Sequence, residues 1–282
     1  MGSKGSSGAG GLGVCDIMTP PVLSVVIPVF NKLEYTRSCL ESLFRTNDVP
    51  TVYIVVNNGS VDGTREYLKT QRVTVIDNAT NLGYAPAVNQ GIRAARTPYV
   101  LLVNNDVVVT TGCVSRLVDF MTRHGHDLVS PAIRTGPLRY DVEAYARGFT
   151  AACATAVRPE VDASCVLVRS AVFETVGVLD ERFIIGGFED TDFFWRCRQA
   201  GFSMAMTGSA FIHHVAMVTQ NTIKPKLAYN YGQINEQRFA EKWGRTVAGG
   251  WWERRRARLA RYLRRTTERL RYGYTLVSKE PE

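Results

Sequence analysis

A layered α/β fold with a mostly parallel sheet is predicted by three features of this 282-residue sequence: short β-branched runs, amphipathic stretches between them, and polar clusters where the runs end. Strands alternating with helices of about 10 to 15 residues read as βαβ units with helices on both faces of the sheet. LSVVIPV, from Leu23, is a buried strand, and 32–45 is a helix with Tyr35, Cys39, Leu40 and Leu43 on one face. TVYIVV is the second strand and 62–70 a short helix; VTVID is the third strand and 85–95 a helix; YVLLV is the fourth. A helix over 112–123 and the strand DLVSP follow. Residues 134–160 lack clear periodicity and are expected to form a mobile loop. Beyond them come a strand at 166–168, helices at 170–176 and 190–200, a strand ending in FIHHV and a helix over 226–243. After a break at Ala248-Gly249-Gly250, a last Arg-rich helix closes the chain. Such a sheet binds ligands beyond the carboxyl ends of its strands.

Composition limits the function classes. With 45% hydrophobic and 21% charged residues, the chain is neither disordered nor fibrous. No apolar run reaches the roughly 18 to 20 residues that span a bilayer. Residues 1–20 form a Gly/Ser-rich flexible leader; Met1-Gly2 with Ser6 formally fits a myristoylation pattern, but a linker is the expected reading. Six scattered cysteines, without a CxxC pair or a secretory pattern ahead of them, point to a reduced, cytoplasmic protein. The net charge of +8 is uneven: from Glu241 to the end there are 12 Lys or Arg against 5 Glu, so the body, 21–244, is nearly neutral and the tail, 245–282, is basic.

Several polar clusters carry either chemistry or plain structure. Asn104-Asn105-Asp106 follows a buried strand, where an Asp can hold a hard cation, or where Asn and Asp simply turn the chain. Glu189-Asp190-Thr191-Asp192 opens a helix, as a cap or as a general base at the crevice. Of the adjacent His213 and His214, at most one is expected to face a shared site, because neighbouring strand residues point opposite ways. Asn57 to Thr64 and Asn81 to Asn89 are either polar turns or ligand loops.

In order, SVVIPVFN, NNGSVDGT, NLGYAPAVNQGI, LLVNND, VGVLDERF, FEDTDFFWRCRQAGF, HH and NEQRFAEKWG resemble family 2 glycosyltransferases of the GT-A fold, in the branch called rhamnosyltransferase-like. The resemblance runs from about Leu23 to Gly244. It implies that the nucleotide sugar is held by Pro28, Phe30 and Asn31, by Asn57, Asn58, Ser60 and Asp62, by Gly83 and Asn89, and by Asn104 and Asn105. The family's first acid after the second strand is here Asn57, which can donate as well as accept, so the preference for a UDP- or dTDP-sugar is weakened. The family's D-x-D is reduced to Asn104-Asn105-Asp106, leaving Asp106 as its charged metal ligand. A histidine completes the Mn²⁺ or Mg²⁺ site, and Thr219, five positions on, favours His214 over His213. Asp190 matches the base of inverting transfer; Glu189, Asp192 and Trp195 fall on the acceptor side or in the framework.

The Arg-rich tail places Trp252, Leu259, Leu263 and Leu270 near one helical face. It reads first as a helix lying on an anionic membrane at the inner face, then as one packed on the body or a partner, and last as an RNA-binding element. Because all the motifs precede it, the body is expected to fold without it. The overall expectation is a metal-dependent, inverting transferase acting on a glycan, a lipid-linked glycan or another surface-polysaccharide precursor. A sugar-nucleotide nucleotidyltransferase would show a Gly-rich phosphate loop after the first strand, and PVFNKLEY has none; a degenerate binding module is the non-enzyme rival.

Overall fold

The structure is a computed structural model that describes residues 21–216, 230–244 and 251–279, without the side chains of 251–254. Thr219, Cys15, the leader and the Ala248 break lie outside the described residues.

The chain runs β1 (Leu23–Val29), α1 (Leu33–Thr46), β2 (Thr51–Asn58), α2 (Thr64–Lys69), β3 (Thr74–Asn78), α3 (Tyr84–Ala94), β4 (Tyr99–Val103) and β5 (Val107–Val109). It continues through α4 (Cys113–His124), β6 (Leu128–Thr135), α5 (Val142–Cys153), β7 (Val157–Arg158), β8 (Cys165–Arg169), α6 (Ser170–Val176), α7 (Glu189–Gln199) and β9 (Met204–His214). The helices α8 (Tyr231–Trp243) and α9 (Trp251–Tyr272) and the short strand β10 (Val277–Lys279) complete it. The sheet order is β3-β2-β1-β4-β8-β6-β9-β5, with β10 beside β6 and β7 beside β9. β1 pairs in parallel with β2 and β4, whereas β8 is antiparallel to both β4 and β6. The predicted α/β class and mostly parallel sheet are present.

Period-2 alternation divides the core. Val25 and Ile27 face Cys39, Leu40, Leu43, Leu117 and Met121 of α1 and α4, while Val26 faces Val88 and Ile92 of α3, with α6 and α7 along the same side. Gly91 lets α3 approach closely, since a Cβ there would lie 2.3 Å from Val26 Cγ1.

Two expectations differ. The segment 134–160 is not a loop throughout: Asp141 caps α5 by accepting from the Ala144 amide, and α5 buries Ala146, Phe149 and Cys153 against Phe211 and Leu276. Nor is the tail independent of the body. β10 joins the sheet, the Arg158 guanidinium donates to both Glu268 carboxylate oxygens at 2.7 and 2.6 Å, and Glu268 also accepts from the Leu276 amide. Arg264 adds an ion pair to Glu160. Truncation before α9 would leave Arg158, which is 6% exposed, with Glu160 alone in place of its bidentate bond to Glu268. The leucines of the apolar stripe, however, do not pack on the body: Leu259 and Leu263 stay more than half exposed and Leu270 is 84% exposed. Among the described residues no helix is long and apolar enough to cross a membrane.

Candidate active site

The carboxyl ends of β1 and β4 open into a cavity of about 280 Å³. Its walls include Pro28, Val29 and Phe30 after β1, Asn104, Asn105 and Asp106 after β4, the loop residues Ile185, Gly186 and Gly187, the acids Glu189 and Asp190, and His214. A larger depression of about 510 Å³ lies between 180–184 and α8. There Asp180 pairs with both Arg182 and Lys242.

The antiparallel register of β5 on β9 sets Val107 opposite His214, and the Val215 amide donates to the Asp106 carbonyl. Asp106 and His214 are thereby brought side by side, with Oδ1 and Nε2 3.0 Å apart. His213, one residue earlier, points to the opposite face; it is fully buried, with Nδ1 3.0 Å from the Tyr140 hydroxyl. Strand alternation thus separates the two histidines, and only His214 lines the cavity. Asp106 and His214 offer an oxygen and a nitrogen donor. Among the described residues no third His, Cys, Asp or Glu joins them in a ligand group.

Asn104 accepts from the Tyr84 hydroxyl through Oδ1 at 2.9 Å, so its amide N–H pair is what it can offer a ligand. Burial pushes the Tyr84 phenol up, and the carboxylates of Glu189, Asp190 and Asp106 add to this, which keeps it a donor. Asn105 donates to Thr36.

Asp190 is half-buried in the first turn of α7, and its Oδ1 accepts from the Thr191 amide at 2.6 Å and the Thr191 hydroxyl at 3.2 Å. Burial raises its pKa; the Thr191 hydrogen bonds oppose this without cancelling it, and the Asp162 charge reinforces it. The result is a more basic carboxylate than a surface Asp. Glu189, 5% exposed, is pushed up to about 8 by burial and then by Asp190, and its Oε2 has no hydrogen-bond partner. Both acids follow a constrained loop, in which Ile185 and Phe188 adopt φ of 65° and 76°. The buried Asn235 of α8 holds that loop, accepting from the Ile184 amide and donating to the Ile184 and Gly187 carbonyls.

Most of the remaining expected residues surround the cavity without lining it. Asn57 is fully buried; it donates to Asp77 at 2.6 Å and accepts from the Ser60 amide. Asn31 accepts from the Val61 amide, and Ser60 accepts from the Asn31 amide. Asp62 accepts from the Leu33 amide and from Thr64; these bonds outweigh burial and lower its pKa. Asn58 does line the wall, but it also clamps 81–83 through bonds with Asn81, Leu82 and Gly83. Asn89 ties α3 to Leu179 and Glu181, and Gly83, at φ 95°, turns the chain into α3. Asp192 is fully buried, paired with Arg196 and Lys242 and accepting from Trp243 Nε1, while Trp195 meets Trp243 edge-on. The Asp192 carboxylate, with three donors and no exposed surface, thus ties α7 to α8.

Sequence reasoning missed Tyr84 and the Gly186-Gly187 wall as lining residues. Tyr84 sits inside the quoted NLGYAPAVN stretch, and the paired glycines directly precede FED, so both signals were within reach.

Residues 24–159 match the model of the family described as glycosyl transferase family 2. The match includes Asp106 and stops before Glu189, Asp190 and His214. An uncharacterized protein, y4gI, of Sinorhizobium fredii is 27% identical over 221 residues, covering 69% of this chain but 24% of its own length. Glycosyltransferase AglE of Haloferax volcanii is 28% identical over 231 residues, covering 77% of this chain and 74% of that one. Among solved structures, a mannosyltransferase from Pyrobaculum calidifontis in complex with GDP-Man and Mn²⁺ superposes with a TM-score of 0.54 at 18% identity, over 70% of this chain and 57% of that one. Together these findings establish the GT-A type of fold and support a family 2 glycosyltransferase.

Proposed function

We propose that this protein is an inverting, metal-dependent glycosyltransferase that moves a hexose or deoxyhexose from a nucleotide diphosphate sugar to a hydroxyl acceptor. The observation that carries the reading is the meeting, in one cavity, of the Asp106–His214 pair with the raised carboxylate of Asp190. Asp106 and His214 would hold Mn²⁺ or Mg²⁺, whose shell diphosphate oxygens can complete. When bound, the cation neutralises charge growing on the departing diphosphate. Asp190 takes the proton of the acceptor hydroxyl as that oxygen attacks the anomeric carbon from the face opposite the diphosphate. Asn104 offers its N–H pair to the donor's ribose.

Nucleotide release from a panel of UDP-, dTDP- and GDP-sugars, with and without Mn²⁺, tests this. Turnover of at least one donor that needs the metal is expected, and a uridine or thymidine donor is favoured. Exchange of the nucleotide with pyrophosphate, without sugar transfer, would instead favour a nucleotidyltransferase.

The acceptor side of the proposal is a glycan precursor at the inner face of an anionic membrane. It is supported by α9, where Leu259, Tyr262, Leu263 and Leu270 remain exposed among arginines. Deleting the tail would also break the Arg158–Glu268 pair, so the clean test replaces Leu259, Leu263 and Leu270 with Ser. Sedimentation with phosphatidylserine vesicles at low salt should then fall well below that of the intact chain. Equal sedimentation of the two proteins removes the membrane reading.

A further inference from the structure

Glu189 has no role in the reaction as derived above, and yet it is the most anomalous side chain in the cavity. It is 5% exposed, it lines the cavity wall, and its Oε2 has no hydrogen-bond partner. A buried carboxylate left that way is costly, and the cost doubles in kind when a second carboxylate follows it in sequence. The groups facing it are Asp190 on its own helix, Tyr84 from α3 and Tyr231 from α8, with Asp162 acting on Asp190 and Asp106 on Tyr84. None of these carries a positive charge. Only the backbone amides of Gly187 and Glu189 favour the ionised form, and burial together with Asp190 overcomes them. A single proton between the two acids would remove that repulsion.

We propose that Glu189 holds that proton, and that its neutral carboxyl O–H donates into the cavity to an oxygen of the acceptor sugar, setting the acceptor against Asp190. This rests on the transferase reading above. The division of labour follows from the two environments. Asp190 keeps Thr191's amide and hydroxyl on one oxygen, which stabilises its negative charge, whereas Glu189 has an oxygen with nothing to bind in the free protein. A donor there also excludes the wrong geometry: an acceptor oxygen engaged by Glu189 lies next to the base, so its neighbouring hydroxyl can lose a proton to Asp190. Glu189 is thus a positioning residue for the acceptor, and it keeps a second negative charge away from the diphosphate's departing oxygen.

Glutamine reproduces a neutral, donating carboxyl and alanine does not, so the pair separates the roles. E189Q should keep the acceptor KM near that of the intact enzyme, and E189A should raise it about three- to tenfold, the worth of one hydrogen bond, with donor KM unchanged. The intact enzyme should lose activity as pH rises through about 8, where Glu189 ionises, and E189Q should lack that limb. A substrate-free readout accompanies these: at pH 7 the infrared spectrum should contain a neutral-carboxyl carbonyl band that E189Q lacks. If E189A does not fold, E189Q alone decides through the band and the pH profile. E189Q as impaired as E189A, or an unchanged band, overturns the proposal. A protein that keeps the band but turns over no sugar nucleotide contradicts the transferase reading instead, and with it the acceptor role, while leaving the proton on Glu189.

Discussion

The turns after β1 and β2 and the first turn of α7 are both crowded with polar side chains, but they differ in how completely those groups are satisfied. In the turns, Asn31, Asn57, Ser60 and Asp62 bond to one another's backbone or to Asp77 and Thr64, and almost every oxygen and nitrogen has a partner. In α7, Asp190 is held on one oxygen only, Glu189 keeps an orphan atom, and the pKa values of both are raised. Polar density alone therefore does not distinguish scaffold from site. A closed hydrogen-bond network fixes a shape, whereas an open one waits for a ligand.

The sharpest way to break this comparison is to remove the open carboxylate that the mechanism uses. Asp190→Asn should lower transfer by about 100- to 10,000-fold, because the amide cannot take the hydroxyl proton. Donor binding and thermal stability should stay close to those of the intact protein, and turnover within a few fold of wild type would show that Asp190 is only a helix cap.

Closed networks should fail in the other direction, with stability lost before chemistry. Glu268→Ala removes the bidentate partner of the buried Arg158 guanidinium, which keeps Glu160, so the loss should be about 3 kcal/mol, the low end for truncating one member of a buried pair. Urea unfolding should show a lower midpoint. An unchanged midpoint would mean that α9 and β10 are dispensable to the body. Asn57→Ala should cost less, about 1–3 kcal/mol, since it leaves one buried amide and the side chain of Asp77 short of partners. If Asn57→Ala instead abolished nucleotide binding at full stability, Asn57 would belong to the donor site directly.

The smallest effect is a pH dependence of stability. Glu189 has a folded pKa raised from 4.5 to about 8, so its contribution is fully present below about pH 4.5 and is lost as pH rises towards 8. E189Q should therefore gain stability relative to the intact chain between pH 5 and 8, read as a difference in thermal midpoints. Parallel curves would show that Glu189 is already ionised.

Much of this was legible in the sequence, and the failures have identifiable causes. The β1–β4 half was readable because each strand is a dense β-branched run and each helix a clear 3.6-residue pattern, as at Cys39, Leu40 and Leu43. α5 was missed because its buried positions are Ala146, Phe149, Thr150 and Cys153, mostly small residues around Gly148, and its best signal was the Asp141 cap. β10, three residues long, carries too little pattern to be seen, and its place beside β6 is decided by tertiary contacts. At the site, the choice between His213 and His214 followed from strand alternation once the register of β9 was known. That Asn57, Asn89 and Asp192 already have protein partners was hidden, because a sequence shows the residue type and not whether its hydrogen bonds are already made.

One measurement tests the central claim most directly: calorimetric titration of UDP, dTDP and GDP into the intact protein, Asp106→Ala and Asp190→Asn, with and without Mn²⁺. At least one nucleotide should bind the intact protein and Asp190→Asn alike in Mn²⁺, lose most of its affinity in chelator, and bind Asp106→Ala weakly under both conditions. Equal binding by Asp106→Ala and the intact protein, indifferent to Mn²⁺, would contradict a metal-assisted donor site between Asp106 and His214.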